Sequence, residues 1–298
     1  MADDALEVVV NTGDDFEHFG LPICPDIDTL IYTLADQANP ETGWGRRGES
    51  WQYMDALAAL GGDTWFQLGD RDLSTHVQRR ELLQNGASLS TATREIALGM
   101  GVRTPLHPMS DDPVRTMIAT PDGEISFQDY FVRRRAQPKI TGVHYASEGA
   151  AAASPGALRA LTDSDLTGII IAPSNPWLSI APILSVAALE SSILHSEAPV
   201  VAVSPIVDGK AIKGPTAKLM DELGIGASVV GIAEYYRDVI DALVIDRQDK
   251  EHKAAIERLG VQVAVTNTIM NDFEDKTRLA QFVCDFAVTL KAAMGESA

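Results

Sequence analysis

Cysteine is scarce in this chain: its 298 residues include two, Cys24 and Cys284, far apart and in no zinc or thioredoxin spacing. That excludes a disulfide framework, and buried free thiols in a reducing cytoplasm are the expectation. Basic charge is short as well, 24 Lys and Arg against 42 Asp and Glu, for a net charge of −18. A surface of that sign repels polyanions, so no nucleic-acid partner is expected. Small phosphate ligands are not excluded, since they need only a local pocket of amides, a metal ion or one or two cations. No apolar run approaches the roughly 20 residues of a membrane helix. The acidic Met-Ala-Asp-Asp start has no signal-peptide apolar stretch. A cytoplasmic protein with no membrane association is therefore expected. The Walker A spacing is missing too, and no internal repeat is visible.

What is present is a globular composition, 45% hydrophobic and 22% charged, enough for a sizeable core. Short β-branched runs stop at turn residues. Leu6–Val10 leads into Asn11-Thr12-Gly13-Asp14-Asp15, Gly168–Ala172 into Pro173-Ser174-Asn175-Pro176, and Pro199–Val203 into Ser204-Pro205. Ala242–Ile245 leads into Asp246-Arg247, and Val261–Val265 into Thr266-Asn267. Continuous apolar runs predict strands buried on both faces, as in parallel sheets. Between them the spacing predicts helices over 26–37, 50–60, 71–83, 250–259 and 274–294. Ser154-Pro155 reads as an N-cap with proline at the first helical position, and Gly260 as a C-cap. Asp122-Gly123 between the runs 114–120 and 124–130 predicts a hairpin. The expected fold is α/β: a Rossmann-like, mostly parallel sheet flanked by helices, with a smaller α+β insertion. Residues 1–69 and 151–298 would form the core, and residues 70–150 a helical and hairpin insertion.

Four groups of residues suggest chemistry. The first is Asn11 to Asp15 after a strand, followed by Cys24-Pro25-Asp26-Ile27-Asp28-Thr29 at a helix start. Ligands of open α/β sheets bind beyond the carboxyl ends of strands. Helix capping accounts for Asp26 and Asp28, and so does a Mg²⁺ site, since Mg²⁺ prefers carboxylate and phosphate oxygens. The second is Gln67-Leu68-Gly69-Asp70-Arg71-Asp72 with His76, which alone reads as a loop and a helix start. The third, Ser110-Asp111-Asp112-Pro113, has ordinary turn composition. The fourth comprises Ser174-Asn175, Ser204-Pro205 and the stretch from Lys213 to Lys218. There exposed amides and Lys218 suit a phosphate as well as they suit plain strand-to-helix turns.

Taken in order, these strings resemble the 2-phospho-L-lactate transferase (CofD) family, which includes enzymes using phosphoenolpyruvate. Leu68-Gly69-Asp70-Arg71-Asp72, Phe127-Gln128-Asp129-Tyr130, Gly214-Pro215-Thr216-Ala217-Lys218-Leu219-Met220 and Ala233-Glu234-Tyr235-Tyr236 extend the match over nearly the whole chain. The resemblance implies a Mg²⁺-dependent transferase of coenzyme F-420 biosynthesis, working as a homodimer. Its donor would be a guanosine-diphosphate-linked phospholactyl or phosphoenolpyruvyl group. Its acceptor would be the ribityl hydroxyl of the deazaflavin Fo, and GMP would be released. It further implies Asp15, Asp26 and Asp28 as catalytic and metal-holding residues. Asn11, Asp28, Gln67, Asp70, Arg71, Asp72, His76, Ser110 and Asp111 would contact substrate, and Ser174, Asn175, Ser204, Pro205 and Lys218 the guanosine moiety. The alternative is a non-catalytic nucleotide-sugar-binding regulator of the same fold. Family members carry a strand and a glycine-rich loop ahead of the first motif. None precedes Glu7, so the strand at Val8–Val10 is expected to have an uncovered side.

Overall fold

The computed structural model of the chain describes residues 6–147, 149–212 and 214–296. The chain divides into two compact units. One comprises Met1–Pro138, Val143–Leu158 and Pro182–Ala187; the other comprises Lys139–Gly142, Arg159–Ala181 and Ala188–Ala298.

In the first unit β1 (Val8–Val10) runs into the Asn11–Asp15 turn. β2 (Phe16–His18) and β3 (Leu21–Ile23) form a tight hairpin whose turn residues, Phe19 and Gly20, are both left-handed. α1 (Pro25–Leu34) follows, with proline at its start, where a missing N–H costs nothing. α2 (Gln52–Ala59), α3 (Asp70–Gln84) and α4 (Leu89–Gly99) lead to β4 (Leu106–Pro108), which pairs in parallel with β1. Ile27 and Ile31, four apart on α1, pack with Val10, Ile96, Ala97 and Leu106. This packing moves the boundary expected from sequence. Because β1 pairs with β4 and α1 packs on α4, the first 69 residues group with the stretch expected to be an insertion. Among the described residues β1 pairs with a strand on one side alone.

β5 (Val114–Thr120) and β6 (Gly123–Ser126) form the expected hairpin, with Gly123 at φ 118° closing it. The second strand was expected to reach Tyr130. It stops at Ser126, whose Oγ accepts the Asp129 N–H at 3.3 Å, and Asp129–Arg133 winds into a wide helical turn. β7 (Gly142–Ser147) flanks β5 on its other side. α5 (Pro155–Leu161) starts as expected, Ser154 Oγ accepting the Ala157 N–H at 3.2 Å.

In the second unit β8 (Ile169–Ile171) is followed by α6 (Ala181–Leu184) and α7 (Ala187–Leu194), where the chain passes between units. Then come β9 (Val200–Val203), the short hairpin β10 (Ile206–Val207) and β11 (Lys210–Ala211), and α8 (Thr216–Glu222) and α9 (Val229–Tyr236). β12 (Ala242–Asp246), α10 (Lys253–Glu257), β13 (Gln262–Thr266) and α11 (Phe273–Glu296) complete it. The sheet order is β13-β12-β9-β8, all parallel, as the unbroken apolar runs predict. Leu279, Val283, Ala287 and Leu290 of α11 cover Val201, Val203, Ala242 and Val244. The helix expected over 250–259 begins instead as a 3₁₀ turn at Arg247 and ends before Gly260, at φ 87°. Among the described residues no single helix is long and apolar enough to cross a membrane.

Candidate active site

The turn after β1 is held from three sides. Asn11 Oδ1 accepts the Gly13 N–H at 2.8 Å, and Asn11 Nδ2 donates to Asp26 Oδ2 at 2.7 Å. The Thr116 N–H of β5 donates to the Gly13 carbonyl at 2.7 Å, and Gln128 Nε2 donates to the Asp14 carbonyl at 3.0 Å. Gly13 is needed for this approach: a Cβ there would lie 2.5 Å from Thr116 Oγ1 and 2.9 Å from Pro182 Cβ.

Within that turn Asp14 and Asp15 are buried, and Asp26 is half-buried beside them. One carboxylate oxygen of Asp14 and one of Asp15 have no hydrogen-bond partner, nor does Thr12 Oγ1. Burial, then the charges of Asp26 and Asp15, push Asp14 well above the usual carboxylate range. Burial raises Asp15 to about 7, against the hydrogen bond from Cys24 and the charges of Arg115 and Arg79. Burial raises Asp26 too, with Asn11 opposing. Buried negative charge short of partners calls for a cation.

A second buried network lies on α3. Asp72, Thr75, His76 and Arg79, at spacings of three and four, present a polar face that is buried. The Arg79 side chain is fully buried; its Nη1 donates to Asp28 Oδ2 at 3.1 Å and to the Pro22 carbonyl at 3.2 Å, while Nη2 pairs with Asp28 Oδ1. His76 lies between carboxylates, Nδ1 3.6 Å from Asp28 Oδ2 and Nε2 3.4 Å from Asp72 Oδ2. Tyr32 donates its hydroxyl to Asp72 Oδ1 at 2.6 Å. Burial alone would raise Asp72, but His76 and Tyr32 outweigh it and hold the carboxyl below its usual value. Asp28, Tyr32, Phe66, Gln67, Asp72 and His76 line one pocket, with Trp44 at its edge.

These contacts revise several expectations. Both oxygens of Asp28 meet the Arg79 guanidinium, so Asp28 is not disposed as a metal ligand. Asp14, part of the acidic cluster in the sequence but given no role of its own there, lies beside Asp15 and Asp26. Asp70 points at the start of α2, accepting from Ser50 Oγ at 2.6 Å, the Gln52 N–H at 3.1 Å and the Tyr53 N–H at 3.0 Å. In return Glu49, just ahead of α2, accepts the N–H groups of Arg71 and Asp72 at 2.8 and 2.9 Å, so each helix start is capped by an acid from beside the other. The Arg71 guanidinium donates to the Arg47 carbonyl at 3.0 Å. Ser110 is buried on its own loop, donating to the Ala152 carbonyl at 2.6 Å, and Asp111 accepts the Ser90 N–H of α4 at 2.7 Å. Gln67 faces the pocket and donates to the Thr64 carbonyl at 2.8 Å. Arg79 itself carried no signal beyond its place on the Asp72–His76 face.

The residues expected to meet a nucleotide lie in the second unit, after the sheet strands. Asn175 Oδ1 accepts the N–H groups of Trp177 and Leu178, both at 3.0 Å, and its Nδ2 donates to Thr216 Oγ1 at 3.2 Å. Ser174 Oγ donates to Ser179 Oγ at 2.8 Å. Ser204, buried beside Pro205, accepts the Ile206 N–H at 3.1 Å. Lys218 pairs with Glu222 at 3.0 Å, one turn along α8. Lys213, read with this group, lies outside the described residues.

Among the described residues no three carboxylate, imidazole or thiol groups converge as a ready-made metal cage. Asp14, Asp15 and Asp26 still fit a hard cation, because Mg²⁺ commonly takes one or two carboxylates and completes its shell with water and substrate phosphate. The unpartnered oxygens of Asp14 and Asp15 are the donors such an ion needs.

Comparison with known proteins gives the family. The family model described as 2-phospho-L-lactate transferase CofD matches residues 2–281. A 2-phospho-L-lactate transferase of Methanosarcina mazei is 37% identical over 283 residues, covering 95% of this chain and 92% of that protein. A phosphoenolpyruvate transferase of Kitasatospora aureofaciens is 35% identical over 284 residues, covering 93% and 88%. In solved structures, a UPF0052-family protein of Bacillus halodurans shares the fold at TM-score 0.55 and 15% identity, covering 91% of this chain and 89% of that one. A site of buried carboxylates after β1, in a chain matched so nearly end to end, makes this protein a transferase enzyme belonging to the 2-phospho-L-lactate transferase (CofD) family.

Proposed function

We propose that this transferase moves a phospholactyl or phosphoenolpyruvyl group from a guanosine-diphosphate-linked donor to the deazaflavin Fo, releasing GMP. The observation that carries the reading is the trio Asp14, Asp15 and Asp26. Burial disfavours their ionised forms, and Asp14 and Asp15 each keep an oxygen without a partner, so a bound cation would let these carboxyls ionise and would offset phosphate charge beside them. Relatives named for transfer of phosphorylated three-carbon acids support the donor class.

In this reading the ribityl hydroxyl oxygen attacks the phosphorus that carries the acid. The bond from that phosphorus to the bridging oxygen breaks, GMP leaves with the oxygen, and the hydroxyl proton is lost. When bound, Mg²⁺ would neutralise charge on the diphosphate, and Asp14, Asp15 and Asp26 would hold it. The pocket lined by Asp28, Gln67 and His76 would take the acceptor. Arg79 would fix the direction of Asp28 towards the ribityl hydroxyls. Asn175, Ser204 and their neighbours after β8 and β9 would meet the guanosine moiety. The two free thiols accord with a cytoplasmic setting, and a homodimer remains part of the proposal.

The test is mass spectrometry of purified protein with Fo and each guanylated donor in turn, with and without Mg²⁺. The expected result is GMP and a lengthened deazaflavin with one donor, only with Mg²⁺ present. Binding of Fo and donor without GMP release would overturn the enzymatic reading of the substrates.

A further inference from the structure

The pocket lined by Asp28, Asp72 and His76 is also lined by three aromatic side chains, Tyr32, Trp44 and Phe66. Trp44 is unusual for its size: it is 44% exposed, and its one aromatic neighbour is Trp51, edge-on at 6.0 Å between ring centroids. Its indole N–H has no protein acceptor among the described residues. The loop that carries it is firmly closed below. Ala38 bridges Arg46, the Asn39 N–H donates to the Gly45 carbonyl at 3.1 Å, and the Arg47 N–H donates to the Gln37 carbonyl at 2.7 Å. Above that closure Trp44 sits between Gly43 at φ 73° and Gly45 at φ 71°, with open space around both Cβ positions. Two left-handed glycines thus flank a large, part-exposed ring that lines the pocket.

We infer that Trp44 is a specificity-determining residue for the acceptor: its exposed ring stacks on a flat, extended heteroaromatic system whose polar chain reaches down to Asp28. The inference rests on the acceptor assignment made above and adds to it the group that selects for a planar ring. Three features suit that chemistry. Aromatic side chains recognise planar rings by offset stacking. A ring already held out by the backbone loses little freedom on binding. The polar floor lies on the same pocket's lining, so one ligand with a flat end and a hydroxylated end fits both.

The experiment compares wild type, Trp44→Phe, Trp44→Leu and Trp44→Ala. Equilibrium binding of Fo is read by its own fluorescence, KM is measured for Fo and for the donor, and melting temperature is recorded. The expected result is Fo binding weakened about tenfold in Trp44→Ala and Trp44→Leu and largely retained in Trp44→Phe. Donor KM and melting temperature should stay at the wild-type values. Equal Fo affinity in wild type and Trp44→Ala, or full affinity in Trp44→Leu, would overturn the inference while leaving the acceptor assignment standing. A lowered melting temperature with unchanged affinity would make Trp44 a packing residue for Trp51. Wild-type protein that does not bind Fo would overturn the acceptor assignment itself, and this inference with it.

Discussion

The two units bury carboxylates in opposite ways. In the second unit Asp246, 2% exposed, accepts from four donors: the Gln248 N–H and Nε2 at 3.0 and 3.3 Å, and the Thr268 N–H and Oγ1 at 2.8 and 3.3 Å. Burial alone would raise it, but those bonds outweigh burial and hold its carboxyl below the usual range. In the first unit Asp14 and Asp15, also buried, each keep an unpartnered oxygen, and burial pushes them upward. The same side chain at the same kind of position, just past the end of a strand or within its last residue, is a cap in one case and a charge awaiting a ligand in the other. Burial by itself therefore does not mark a functional carboxylate; a buried oxygen left unpartnered is the sign to look for.

The largest expected effect lies in the first unit. Arg79→Met removes the guanidinium from Asp28 and leaves a buried carboxylate without its counter-charge. Unfolding free energy should fall by about 3–5 kcal/mol, read from a urea melt. Asp28→Asn strands the opposite partner and should lower stability in the same direction. A loss under about 1 kcal/mol for Arg79→Met would mean that the pair is solvated and that the contrast between the units is overdrawn.

Next in size is Asp15. Its folded value near 7 stands above the unfolded 3.8, so the folded state binds the extra proton between those values. Stability from this group is greatest at low pH and is lost as pH rises to about 7, then stays flat. Without divalent cation, the melting temperature should fall between pH 5.5 and 8, and Mg²⁺ should restore it at the upper end. Asp15→Asn should remove its share of that slope, Asp14 and Asp26 keeping the rest, and should stabilise the cation-free protein by about 1–3 kcal/mol above pH 7, with activity lost. A mutant less stable than wild type at pH 8 would show that Asp15 is already satisfied.

Gly13→Ala tests the backbone of the same turn. The added methyl meets Thr116 Oγ1 and Pro182 Cβ inside contact distance, and a cost of about 1–3 kcal/mol is expected. Wild-type melting behaviour in Gly13→Ala would mean that the turn yields without penalty.

Much of the second unit was legible in the sequence, and less of the first, for one physical reason. β9 and β12, buried on both faces, carry unbroken apolar runs, and the edge strands β8 and β13 carry short ones despite the exposure of Ile170, so all four declare themselves from composition. β1 declares itself equally well, but its partner β4 is three residues long and includes Pro108, and a pairing 98 residues away leaves no local trace. The Asp15 and Asp26 cluster was visible as clustered acids. Arg79 was not, because it is one arginine on a helix of low apolar content, and burial of α3's polar face depends on α1 and β3. Asp70 and Asp111 looked like site residues because caps and ligand contacts draw on the same side chains; hydrogen-bond partners, not residue type, separate them.

The smallest expected effect is the sharpest check on the comparison. Asp246 caps the 3₁₀ turn after β12 and receives Thr268 from the loop after β13. Asp246→Ala removes the acceptor of the Thr268 and Gln248 donors, which should cost about 1 kcal/mol. Its pH dependence must run opposite to that of Asp15. The folded value is depressed, so its stabilisation is present above the unfolded 3.8 and is lost as pH falls through the folded value. Between pH 5.5 and 8 Asp246 therefore contributes no slope, and Asp246→Ala should shift the whole melting curve downward without changing its shape. Asp15→Asn should instead change the shape. If both substitutions altered the slope alike, the two carboxylates would be electrostatically equivalent, and the division between a capped acid and an unpartnered one would fail.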